Sequence, residues 1–167
     1  MSLDVFFGPM FSGKTTELLR VISVKSRTYN CLYVNNSIDT RAETSYSTHN
    51  ILLDPDLEHK IDKDPWFHQT YKMLKVTNLM SIDDDKLRIY KVICIDEAQT
   101  FTDLVPFVRK AVEKFGICVY VAGLVCDYQQ LSWGFIKNLL HLMPSMHKLG
   151  DAVCEYCSKK NESRVAE

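Results

Sequence analysis

Residues Gly8-Pro9-Met10-Phe11-Ser12-Gly13-Lys14-Thr15 spell a complete G-x-x-x-x-G-K-[ST] loop, and the flanking residues fix what it can fold into. Before it, Leu3-Asp4-Val5-Phe6-Phe7 is short, apolar and β-prone; after it, Thr16-Glu17-Leu18-Leu19-Arg20-Val21-Ile22 has helical spacing. A strand entering such a loop and a helix leaving it is the context in which the pattern has a mechanism. The glycines let backbone N–H groups converge on phosphate oxygens, and the helix N-terminus adds its partial positive charge. Gly8 through Thr15 are therefore expected to cradle a nucleoside triphosphate. Lys14 would reach its β- and γ-phosphates, and Thr15 would offer a hydroxyl to Mg²⁺.

The rest of the chain supports one ordinary globular core. It has 167 residues, 46% of them hydrophobic and 25% charged, with a formal net charge of −1. That balance argues against general nucleic-acid binding, which leaves a basic excess. No apolar run approaches a membrane span, and the N-terminus reads as a strand rather than a signal peptide. Of six cysteines, Cys31, Cys94 and Cys118 fall in expected strands and Cys126 just beyond one. Thiols so placed act as small apolar residues, which fits a reducing, cytoplasmic setting better than a disulfide scaffold.

Strands alternate with helices along the chain. The first helix is expected over 14–27 and a second strand over 31–35. Residues 36–65 are polar and irregular, with an acidic later part. Phe67, Tyr71, Leu74 and Leu79, at spacings of three to five, predict a helix over 66–82. A buried strand is expected over 91–96, a helix capped at Thr102-Asp103 and ended by Gly116, and another buried strand over 117–122. Apolar runs without alternation indicate a parallel sheet covered on both faces. The expected fold is therefore α/β, a P-loop NTPase-like parallel sheet flanked by helices.

The second informative motif is Val92-Ile93-Cys94-Ile95-Asp96-Glu97, an apolar strand ending in two acids. In such sheets ligands collect beyond the carboxyl ends of the strands. Asp96 fits the role of holding Mg²⁺, directly or through water. Glu97 is placed to accept a proton from the group that attacks the γ-phosphate. A solvated acidic turn is the plain alternative.

With GPMFSGKT at 8–15, IDEAQ at 95–99, a strand running into Ala122-Gly123-Leu124, and Cys154-x-x-Cys157, the chain resembles the thymidine kinases shared by cellular cytosol, bacteria and poxviruses. The resemblance runs from Val5 to Cys157. It implies transfer of the ATP γ-phosphate to the 5′-hydroxyl of thymidine, with Glu97 as general base. It implies that Met10, Gln99, Phe101, Leu124, Tyr128 and Trp133 lie on the nucleoside side, although Tyr128 and Trp133 would equally serve as core rings. Asp39 and Arg41 match the family's Asp-x-Arg pair, with Arg41 balancing charge near the transferring phosphate; an exposed ion pair is the alternative. Thr48-His49 matches a family Thr-His. The resemblance also implies a homotetramer.

Three departures bear on specificity. Thr100 stands where the family has a first aromatic, and Val125 where it has an acid. The family holds one structural Zn²⁺ with two Cys-x-x-Cys pairs beneath a lasso that closes over the thymine; here Cys154 and Cys157 are one pair, and four ligands are needed. His141 and His147 fit no zinc signature. The expected organisation is a P-loop kinase domain over 1–150 and the start of an incomplete zinc lasso over 151–167. Open alternatives are a deoxynucleoside kinase of altered specificity and a non-catalytic ATP-binding protein. A P-loop motor or GTPase is remote, because the guanine-reading Asn-Lys-x-Asp motif is missing.

Overall fold

The computed structural model describes residues 2–37 and 71–150. Six strands form one all-parallel sheet in the order β3-β2-β4-β5-β1-β6. They are β1 (Leu3–Phe7), β2 (Cys31–Asn36), β3 (Tyr71–Val76), β4 (Val92–Ile95), β5 (Cys118–Gly123) and β6 (Ser145–Lys148). The helices are α1 (Lys14–Lys25), the short α2 (Asp84–Leu87) and α3 (Leu104–Arg109). The last widens into a π-helical turn over Lys110–Lys114, and 3₁₀ turns cover Leu79–Ser81, Ala98–Thr100 and Ile136–Leu142.

Period-two alternation divides each central strand between two cores. Phe6, Cys31, Tyr33, Val92, Cys94 and Ala122 face α1 and pack on Leu18, Leu19 and Ile22. Val5, Val34, Ile93, Ile95 and Val121 face the other layer, where α3, Leu79 and Leu139 close over them. With both faces covered, the strands need no polar face, which is why they read as unbroken apolar runs. Cys31 and Cys94 are buried free thiols, and burial pushes the Cys31 thiol up to about 12, so both behave as small apolar residues. Cys126, in contrast, is exposed.

The expected helix over 66–82 is corrected. Residues 66–70 lie outside the described residues, and Tyr71–Val76 is an edge strand in parallel register with β2. Its apolar side chains also fit period two: Tyr71 and Met73 pack on the α1 side, Leu74 and Val76 on the other. The open edge of β2 offers backbone partners along its whole length, and that tertiary pairing overrides a weak helical spacing. The helix after Thr102 forms, but its cap is corrected as well. Asp103 sits at the N-cap without a side-chain capping bond, and its Oδ2 instead accepts from Met80 N at 2.6 Å. Gly116 ends the segment at φ +65, with its N–H on Val112 O. β6 was not foreseen. All four of its residues are exposed, so it carries no apolar signal, and only pairing with β1 defines it.

Candidate active site

The loop after β1 turns through left-handed backbone at Phe11 (φ +63) and Gly13 (φ +83), then enters α1. Gly8 is fixed by close approach, since a Cβ there would lie 2.7 Å from Ser12 Oγ. Lys14 folds back over this loop and donates to Gly8 O at 3.1 Å and Pro9 O at 2.5 Å. Burial lowers the affinity of its ammonium for the proton, while the charges of Glu97 and Asp96 oppose that shift. The two acids beyond β4 thus favour the charged form of the loop lysine.

Strand parity explains how Asp96 gets there. It follows Val92 and Cys94 on the face that α1 covers, so its carboxylate points toward the start of α1. The Thr15 hydroxyl bonds it there. β5 lies between β4 and β1, and the small residues Ala122 and Gly123 end that strand. Asp96 is buried, with Oδ2 accepting from Tyr33 Oη at 2.5 Å and Oδ1 from Glu97 N at 2.9 Å. Burial pushes its carboxyl up and the Glu97 charge adds to that, while the Tyr33, Glu97 N–H and Thr15 bonds work the other way. Thr15 and Asp96 together present the hard oxygen donors that Mg²⁺ takes.

Tyr33 was legible only as a strand residue, because its partner lies 63 positions away. It is wholly buried, and its hydroxyl is held well above its usual pKa by burial first and by Asp96 second. Tyr33→Phe removes a donor from a buried carboxylate and is expected to destabilise the chain by about 1–3 kcal/mol. Urea unfolding checks this: the midpoint should fall with an unchanged slope. A midpoint equal to the parent's would show that Asp96 does not depend on Tyr33.

Glu97 leaves the strand in left-handed backbone, φ +47, a conformation that costs a bulky residue of order 1 kcal/mol or more and clusters at functional sites. Thr100, the departure from the family pattern, holds this turn: its hydroxyl donates to Glu97 O at 2.7 Å and accepts from Asn36 Nδ2 at 2.9 Å. Gln99 is 5% exposed, and its Nε2 donates to Glu97 Oε2. Phe101 is buried in the core.

The segment after β5 makes a narrow loop closed by an antiparallel bridge between Cys126 and Ser132. Asp127, which sequence reasoning passed over, organises it: Oδ1 accepts from Gln129 N and Leu131 N, both at 2.9 Å. Tyr128 is 92% exposed and Trp133 44% exposed, so neither is a core ring. Leu124 is half-buried, and Met10 is exposed on the phosphate loop. Asp39, Arg41, His49, Cys154 and Cys157 lie outside the described residues. Among the described residues no group of three or more His, Cys, Asp or Glu could hold a metal. His147, on β6, bonds Asp4 at 2.9 Å.

A parallel α/β sheet whose first strand ends in a lysine-bearing phosphate loop, with two acids just beyond the end of β4, defines a P-loop nucleotide-binding protein. The thymidine kinase family model matches residues 1–166. The chain belongs to the thymidine kinase family. It is 35% identical over 159 residues to the cytosolic thymidine kinases of Bos taurus and Homo sapiens, covering 95% of this chain and 58% and 59% of theirs. It is 34% identical over 160 residues to the thymidine kinase of Choristoneura biennis entomopoxvirus, covering 94% of this chain and 78% of that one. The chain thus spans about three fifths of the length of the two mammalian proteins.

Proposed function

We propose that the chain transfers the γ-phosphate of ATP to the 5′-hydroxyl of thymidine, giving thymidine monophosphate and ADP. The observation that carries this reading is the bond between Thr15, at the end of the phosphate loop, and the buried Asp96 beyond β4 in a member of the thymidine kinase family. Gly8 to Thr15 bind the triphosphate, and Lys14 balances the charge of its outer phosphates. Thr15 and Asp96 hold Mg²⁺, which neutralises phosphate charge when bound. Glu97 takes the 5′-hydroxyl proton as that oxygen bonds to phosphorus, and the bond to the ADP oxygen breaks.

Arg41, beside Asp39, adds charge balance, and Met10, Leu124, Tyr128 and Trp133 border the nucleoside. Cys154 and Cys157 supply two thiolates to a structural Zn²⁺ in a region separate from the 1–150 kinase core. The cytoplasm is the proposed compartment and a homotetramer the proposed assembly, both by family membership. Among the described residues no helix is long and apolar enough to cross a membrane.

A panel of deoxynucleosides in an ADP-release assay tests the substrate. The expected result is the highest kcat/KM for thymidine. A higher value for another nucleoside would favour broadened specificity, which Thr100 motivates: its hydroxyl is bonded to Asn36 and Glu97 where the family pattern places an aromatic wall. ATP binding without turnover on any nucleoside would make the chain a non-catalytic binder.

A further inference from the structure

We propose that Gln99 is a positioning residue that fixes the Glu97 carboxylate to the main chain entering the Leu124 loop. The inference rests on Glu97 being the proton acceptor. Both ends of the Gln99 amide are committed: Nε2 donates to Glu97 Oε2 at 2.5 Å, and Oε1 accepts from Leu124 N at 2.9 Å. Its orientation is forced by chemistry, since a backbone N–H needs an acceptor and a carboxylate needs a donor. With 5% exposure, the side chain has no room to leave.

Two glycines distant in sequence make room for this residue, one beside its side chain and one beside its main chain. A Cβ on Gly123 would lie 2.3 Å from Gln99 Oε1, and a Cβ on Gly134 would lie 2.4 Å from Gln99 O. Real Cβ atoms essentially never come within 3.0 Å, so Gly123 leaves room for the Gln99 amide, together with Ile136 Cδ1 at 2.6 Å, while Gly134 leaves room for the Gln99 main chain. Gly134 is also left-handed, φ +64. The amide thus joins the residue that would receive the proton to the loop that would border the nucleoside. Because Glu97 stands on left-handed backbone, a fixed partner keeps its short turn from presenting the carboxylate elsewhere.

The test uses the full chain with Gln99→Glu and Gln99→Met, each alone and with Glu97→Gln. Kinetics, ATP affinity and thermal unfolding are measured for every variant. Gln99→Glu keeps an acceptor for Leu124 N–H and replaces the donor facing Glu97 with a second carboxylate oxygen. It is expected to lower kcat about 10- to 100-fold, the effect of a reacting group misplaced by about 1 Å, with the thymidine KM within about threefold of the parent's. Gln99→Met loses both bonds, so it is expected to lower kcat and raise the thymidine KM as well.

In the Glu97→Gln background, neither Gln99 change is expected to lower kcat by more than about twofold, because residues acting as a unit do not add. Additive losses in that cycle, or an unchanged kcat in Gln99→Glu, would overturn the positioning role while leaving Glu97 as base. Parent-like turnover in Glu97→Gln alone would overturn the base assignment itself and remove the ground for positioning. If Gln99→Met does not fold, the Gln99→Glu cycle decides.

Discussion

Glu97→Gln is expected to lower kcat by about 10²–10⁴-fold, the range over which a positioned base contributes, with ATP affinity close to the parent's. Gln keeps the volume and one oxygen, but it cannot take up the proton that the 5′-oxygen must lose as it bonds to phosphorus. Phosphoryl transfer leaves a protein mainly positioning and charge balance to supply, so a residual rate should persist from the phosphate loop and metal. Because Glu97 N donates to Asp96 through the main chain, the substitution leaves that bond intact. Steady-state kinetics with separately measured ATP binding checks this, and parent-like turnover would show that another group receives the proton.

Lys14→Ala should have the larger effect, weakening triphosphate binding and nearly abolishing transfer. The ammonium is the cation that the phosphate loop itself supplies, and it sits where Asp96 and Glu97 already concentrate negative charge. Without it, the charge balance that the loop itself supplies would be reduced to its backbone dipoles. A fixed charge in a partly desolvated site is worth far more than in water. Binding of ATP followed by calorimetry, alongside turnover, separates the two losses. Unchanged ATP affinity in Lys14→Ala would mean that the loop binds its ligand by backbone alone.

The site's outline was legible in the sequence because its central requirements are local. Gly8 to Thr15 must be contiguous to curl around a phosphate, and Asp96-Glu97 announces itself as two acids ending an apolar strand. The parallel sheet was legible for the same reason: β1, β2, β4 and β5 are buried on both faces, and their sequences have no polar alternation. What escaped was held by distant partners. The resemblance groups Gln99 with the nucleoside-side residues, and nothing near it in sequence signals that Gly123 makes room for its amide. The Tyr33 contact with Asp96 links two strands that become neighbours only when the sheet forms. Within the expected helix over 66–82, the mixed polarity of Tyr71–Val76 fits both periods, and the free edge of β2 chooses the strand. Asp103 carries the right residue type for a helix cap, but its carboxylate turns to Met80 N instead.

The central claim is that this site hands the γ-phosphate of ATP to the 5′-oxygen of thymidine. The most direct measurement follows ATP labelled at the γ-phosphorus, with Mg²⁺ and the full chain, in parallel reactions with thymidine and with 5′-deoxythymidine, which lacks the accepting hydroxyl. The predicted result is label in thymidine 5′-monophosphate, matched mole for mole by ADP, and none transferred to the 5′-deoxy compound. Label released only as inorganic phosphate, or at equal rates with and without the 5′-hydroxyl, would contradict it.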